Sequence, residues 1–328
     1  MHMREKMKNK KLEATRFGFA KALVELGRTN PNVVAMDADL AKSTLTINFK
    51  NEFPDRFYDI GIAEQDMLGT AAGLALGGKI PFACTYGVFV AGRAWDQIRT
   101  TICYGEINVK IGGMHGGISV GPDGATHQAL EEIALMRVLP NMTVIVPCDT
   151  IEAYKATKAA ANDVKGPVYL RFGREGVPIL TKEEDPFTVG KANVLKEGSD
   201  CAIFACGFMV GEALDAAFEL EEEGIKCSVI NVHTVKPLDY ETILKYAKKC
   251  GCAVTAEEHQ AAGGFGSAVA EFLIENYPIP VKIIGVKDRF GESGDPWDLL
   301  EEFNLTWKDI KKAVRQAVAM KKESIPAV

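Results

Sequence analysis

Short apolar runs alternate with amphipathic stretches along nearly the whole chain. The segments 32–39 (NVVAMDAD), 56–63 (RFYDIGIA), 80–87 (IPFACTYG), 107–113 (INVKIGG), 142–149 (MTVIVPCD) and 167–173 (PVYLRFG) predict buried strands. Between them, 12–28, 65–78, 92–104, 127–139 and 150–163 place apolar residues at helical spacing. Strand alternating with helix predicts a parallel sheet covered on both faces. The pattern loosens over 176–198, where Pro, Gly and a charge run interrupt it. It then resumes, with strands at 201–207, 226–233, 252–259 and 281–286 and helices at 209–224, 240–250 and 266–277. The expected fold is therefore α/β with two domains, each a mostly parallel sheet flanked by helices, spanning 1–185 and 186–328.

Length agrees, since 328 residues exceed what one core usually fills. A hydrophobic share of 47% and a charged share of 25% leave no case for disorder. The formal net charge of -6, with no basic stripe, argues against nucleic acid as a main partner. No apolar run reaches the 18 or so residues of a membrane span. The basic N-terminal stretch has no apolar segment behind it, so it does not read as a secretory signal. The eight cysteines sit mostly in strand-like apolar runs, which suits reduced, buried thiols and a cytoplasmic protein. Cys250 and Cys252 form CxC with no second pair nearby, so no metal site is expected on this chain.

Candidate chemistry falls in three segments. In the first, Glu64 stands where a strand ends and an Ala/Gly-rich helix opens, and carboxyl ends of such strands are where ligands sit. A helix-start acid held by the dipole accounts for it equally well. In the second, Tyr86 and Phe89 follow a strand three residues apart; they could line a flat-ring pocket, although core packing is the favoured reading of aromatics at that spacing.

The third is the strongest cluster. His115, Asp123 and His127 lie among or just after the six glycines of 112–124, joining close backbone approach to groups that carry protons near neutral pH. Asp123 and His127 would share a helical face if a helix has begun there. A bland loop with a capping Asp is the alternative. Gly263-Gly264-Phe265-Gly266 imitates a dinucleotide loop but lacks GxGxxG spacing, and a helix-start turn is the better reading.

In order, ATR at 14–16, DADLAKS at 37–43, GIAEQ at 61–65, the Tyr86/Phe89 stretch, His115 through THQ at 126–128, then CAVTAEEH, GGFGSAVAE and KDRFGESG resemble the C-terminal half of transketolase. The resemblance covers residues 12 to 320, as a pyrimidine-binding domain followed by the family's C-terminal domain. It implies thiamine diphosphate at an interface between chains. Glu64 would hydrogen-bond the pyrimidine N1′ and favour the tautomer that can accept a proton from the thiazolium carbon. Phe89 with Tyr86 would pack on that ring, and Asp39 would lie near the cofactor. The resemblance also implies that His115, Asp123 and His127 recognise the donor sugar and move protons, with Glu64, His115 and His127 as the catalytic set. Arg16 and Ser43 would contact the phosphate end, joined by either Arg171 or Arg174.

The family's diphosphate signature, GDG…N, is not found here; the Asp-Gly present is Asp123-Gly124, within the site loop. The resemblance therefore implies one subunit of a split enzyme. A separate N-terminal subunit would hold the diphosphate and Mg²⁺ (or Ca²⁺), in an α2β2 assembly with contact between copies of this chain. The implied activity is transfer of a two-carbon ketol unit between sugar phosphates. Alternatives are 1-deoxy-D-xylulose-5-phosphate synthase chemistry, the β subunit of a 2-oxo acid dehydrogenase, or a non-catalytic partner that keeps the fold.

Overall fold

Apolar, β-branched runs become strands because a sheet covered on both faces rewards side chains that pack on either side. The structure is a computed structural model describing residues 12–323; the basic N-terminal stretch lies, up to residue 11, outside the described residues. Strands β1 (Leu12–Glu13), β2 (Val33–Asp37), β3 (Phe57–Asp59), β4 (Ile80–Tyr86), β5 (Lys110–Met114), β6 (Thr143–Ile145), β7 (Val168–Arg171) and β8 (Val177–Pro178) form the first half. The second half holds β9 (Asn193–Lys196), β10 (Cys201–Ala205), β11 (Cys227–Asn231), β12 (Thr234–Lys236), β13 (Ala253–Gln260) and β14 (Val281–Val286).

Seven of these make one sheet in the order β12-β6-β7-β5-β4-β2-β3, and five make a second in the order β14-β13-β10-β11-β9. Within these two sheets pairing is parallel except for edge strands β12 and β9, and β1 and β8 form a separate antiparallel pair. Helices pack over the sheets, and one pair meets unusually closely. A Cβ on Gly18, in the helix Thr15–Thr29, would sit 2.0 Å from the Thr150 carbonyl oxygen of the helix Thr150–Asn162.

The two halves do not part cleanly near residue 185. Strand β12, from beyond that point, pairs antiparallel with β6 and completes the first sheet. Without it β6 would present an open row of N–H and C=O groups. The apolar core is continuous across the seam, joining Val144 and Val146 to Ile230, Val232 and Val235. Strands β9 and β12 and the helices Pro296–Glu302 and Trp307–Glu323 lie outside the elements the sequence pattern predicts. The helix expected over 127–139 forms only at Glu132–Arg137, and part of 92–104 is π-helical, at Gln97–Cys103.

The Gly263-Gly264 turn opens the helix Phe265–Asn276, whose first amides donate to the Glu257 carboxylate at 2.6 and 2.7 Å. That carboxyl occupies the place a phosphate takes in a dinucleotide loop. Burial pushes its pKa up to about 8. Among the described residues no helix is long and apolar enough to cross a membrane.

Candidate active site

In the first sheet β3 lies on one side of β2 and β4 on the other, so the strand order reverses there. Open α/β sheets bind ligands at the carboxyl ends of such a reversal. The sequence-predicted residues leave the sheet at that edge. Glu64 starts the helix after β3, Tyr86 ends β4, Phe89 lies one turn into the helix Gly87–Arg93, and His115 follows β5.

Glu64 is 3% exposed, and Arg93 donates to its carboxylate at 3.0 and 3.3 Å. The Arg93 guanidinium also lies 4.1 Å from the Phe89 ring centre. Tyr86 stacks on His115 with centroids 4.1 Å apart and lies 5.7 Å from Phe89. His127 meets both aromatic rings edge-on, at 6.0 and 5.3 Å. Tyr86 belongs to the buried cluster with Phe82 and Met114, whereas Phe89 sits at its rim. The core reading of this pair thus applies to Tyr86 alone. Phe89 and Glu64 bound a slot that already accepts a flat, cationic donor, the guanidinium. A planar ring with a hydrogen-bond donor on its edge would meet the same two partners once the guanidinium moved aside.

The tautomer of His115 follows from its partner. Arg16 reaches its Nε2 at 3.0 Å and can only donate, so Nε2 accepts and Nδ1 carries the proton. That Nδ1 is buried with no hydrogen-bond partner, as is Arg16 Nε. A buried donor left without an acceptor is costly, and a ligand oxygen would relieve it. Burial, then the charges of Arg16 and Arg174 and the His127 imidazole, push the His115 pKa down to about 3, so the ring stays neutral. His115 also holds φ at +57°, a left-handed conformation maintained by its packing.

Arg16 donates in addition to the Ser43 carbonyl at 3.0 Å, so Ser43 enters the site through its backbone. The segment 40–46 is folded around Asp37, whose buried carboxylate accepts from Leu40 N–H and from the Thr44 and Thr46 hydroxyls at 2.6 to 2.8 Å. Burial raises that carboxyl to about 6. Asp39 lies at the same end of the sheet with φ +62° and an exposed side chain, and its N–H donates to Asp59.

Two expectations need correcting. Arg171 is 5% exposed and its guanidinium is committed within the protein. Its Nε donates to Glu132 at 2.5 Å, and one terminal nitrogen donates to the carbonyls of Ala129 and Glu258. Those two nitrogens are taken up by the protein itself, which sets Arg171 apart from Arg174. Arg174, half-buried, pairs with Asp123 at 3.4 Å and donates to Val120 O. The second correction concerns the loop. Residues 118–123 form a short 3₁₀ segment broken at Gly121, and no helix runs from Asp123 to His127. The two side chains therefore do not share a helical face. The His127 ring is fixed instead by Thr126, 2.9 Å from its Nδ1.

Sequence reasoning missed Arg93, although its spacing of four from Phe89 on one helix was a usable signal. It also missed Glu258, which accepts from Ser119 N–H across 139 positions and had no local signature. Among the described residues no group of three or more His, Cys, Asp or Glu is arranged to hold a metal ion.

Comparison with known proteins matches residues 12–178 to the family described as transketolase, pyrimidine binding domain, and residues 190–310 to transketolase, C-terminal domain. The chain is similar to the putative transketolase C-terminal section of Methanocaldococcus jannaschii, 44% identical over 312 residues, covering 94% of this chain and 96% of that one. It is 43% identical over 300 residues to the 6-deoxy-6-sulfo-D-fructose transketolase subunit SqwH of Clostridium sp., covering 91% and 92%. A solved structure described as a split gene transketolase, inactive beta4 tetramer, superposes with a TM-score of 0.88 at 52% identity, covering 94% of this chain and 99% of that one.

Proposed function

The chain belongs to the transketolase family, and from that premise we propose that it is the C-terminal subunit of a split enzyme that transfers a two-carbon ketol unit between sugar phosphates. The observation that carries this reading is the slot between Glu64 and Phe89, a buried carboxylate facing an aromatic ring beside two imidazoles. Glu64 is positioned to accept from the N1′ edge of an aminopyrimidine, and Phe89, backed by Tyr86, to pack on its face. Thiamine diphosphate, when bound, supplies the nucleophilic carbon and electron sink for making and breaking the ketol carbon–carbon bond. The protein's part is to orient the reacting groups and manage protons.

On this reading the His115 Nδ1–H donates to a substrate oxygen, and His127, edge-on to Phe89, moves protons at the reacting carbons. Asp123 joins the two imidazoles in recognising the donor, while Arg16 and Arg174, with Ser43, form the far end and bind the sugar's anionic group, whose binding energy goes into positioning the carbonyl. A relative whose name specifies a 6-sulfo sugar fits a cationic end of this kind. Asp39 lies toward the cofactor. A separate N-terminal subunit, in an α2β2 assembly with contact between copies of this chain, would hold the diphosphate and a divalent cation, Mg²⁺ or Ca²⁺, in the cytoplasm. Names such as "C-terminal section" and "subunit" among the relatives support that partner.

Reconstitution with the N-terminal subunit tests the reading. Two-carbon transfer from xylulose 5-phosphate to ribose 5-phosphate is expected, and turnover with pyruvate alone overturns it. Glu64→Gln should lower turnover by about 10²–10⁴-fold with an unmoved thermal midpoint. Undiminished turnover would favour a non-catalytic role.

A further inference from the structure

The loop 115–128, which carries both imidazoles, is tied in part within itself, the Gln128 side-chain amide reaching Ile118 O and Gly121 O. Gly124 N–H reaches Gly121 O, and the His127 and Gln128 amides reach Gly124 O. Its own domain ties it at Phe172 O, Ala129 O and Arg174, and the C-terminal domain meets it at further points. Ser119 N–H donates to the Glu258 carboxylate at 2.5 Å. At Gly117, with φ +99°, a Cβ would lie 2.2 Å from the Glu258 carboxyl carbon. Further along, a Cβ on Gly124 would lie 2.4 Å from Ser293 Oγ, and Gln128 donates to Glu292 O at 2.9 Å.

We propose that Glu258, on strand β13, is a positioning residue that sets the shape of the loop presenting His115 and His127. Its two ends act differently. The carboxylate takes the Ser119 amide, and the main-chain carbonyl accepts from Arg171 at 2.8 Å. Arg171 spans the same seam, since it also donates to Ala129 O at the end of the loop. Glu258 is buried, and Glu132 already answers the Arg171 charge at 2.5 Å, so what the site requires of the Glu258 side chain is its reach. Groups that act on a substrate need both their rings and the backbone beneath them held; Arg16, Tyr86, Thr126 and Phe89 hold the two imidazoles, and the backbone between them is held from the other domain.

The inference rests on the reading of the two imidazoles as part of a reacting site, and the test separates the two claims. Glu258→Asp keeps the charge and withdraws the acceptor by one methylene; Glu258→Gln keeps the reach and removes the charge. Amide exchange of the full chain, read by mass spectrometry, should quicken at least about tenfold over 116–128 in Glu258→Asp, with β10 and β11 unchanged. Glu258→Gln should keep wild-type protection. In the assembled enzyme Glu258→Asp should lower kcat at least about fivefold, with a smaller change in KM, and Glu258→Gln should restore it. Wild-type protection in Glu258→Asp, or loosening spread equally through β10 and β11, overturns the proposal. A loosened loop with unchanged turnover supports the positioning and overturns the role given to His115 and His127.

Discussion

Arg93 donates to both carboxylate oxygens of Glu64, at 3.0 and 3.3 Å, while its guanidinium covers the Phe89 ring at 4.1 Å. On the proposed reading it stands where the aminopyrimidine would stand. Arg93 is 49% exposed, so it can swing toward solvent without disturbing the core.

Displacing Arg93 opposes cofactor binding, so Arg93→Ala is expected to tighten it. A charge-assisted hydrogen bond is worth about 1.5–3 kcal/mol, which corresponds to about tenfold in affinity or more. Calorimetry of thiamine diphosphate on the assembled enzyme reads this directly. Weaker binding in the variant would mean that the guanidinium helps to hold the ring.

The two arginines of LRFGRE should separate by assay. Arg171→Met strands a buried Glu132 carboxylate and is expected to cost about 3–5 kcal/mol in urea unfolding. Arg174→Met breaks a partly exposed pair worth about 0–1 kcal/mol, so stability holds while KM for the sugar phosphate rises about tenfold. The opposite pattern would restore Arg171 as the anion-binding residue.

His115 gives stability an acid-side slope. Unfolded, the ring takes its proton near 6.5; folded, it stays neutral until about 3, chiefly through burial. Between those values the unfolded chain binds more protons, so stability rises with pH and is lost as pH falls below about 6.5. Asp37, raised to about 6 by burial, pulls the other way, because its native carboxyl keeps a proton the unfolded one has lost. Comparison with His115→Asn isolates the imidazole. Urea midpoints of the wild type should fall relative to the variant from pH 6.5 to 4, and parallel curves would refute the assignment.

Asp149 caps the helix Thr150–Asn162 through Glu152 N–H at 2.8 Å. It also accepts from Leu180 N–H, Thr181 N–H and the Thr181 hydroxyl at 2.6 to 2.9 Å. Asp149→Ala leaves those donors buried and unanswered, and a loss of at least about 3 kcal/mol is expected. A change below about 1 kcal/mol in chemical denaturation would show that water replaces the carboxylate.

Much of this was legible in the chain. Residues 33–37, 80–86, 110–114 and 253–260 read as strands because a sheet covered on both faces needs continuous apolar side chains. Glu64 was placed at the start of a helix by local pattern, and the order of motifs identified the family. Arg171 and Arg174 could not be told apart, since one ends strand β7 and the other follows it closely, and what surrounds each is set by distant segments. Strand β12 was invisible because three residues carry too little periodicity, and its pairing with β6 spans about ninety positions.

The sequence by itself determined the alternation of strand and helix, the domain order and the residue types brought to the carboxyl edge of the first sheet. These depend on local periodicity and on chemistry carried by each residue. Only the tertiary structure decided which arginine is sealed in, that Arg93 lies across the Glu64–Phe89 slot, and that the C-terminal domain shapes the loop of the two histidines. Burial and charge pairing between distant segments settle those points, and neither is a property of any short stretch of chain.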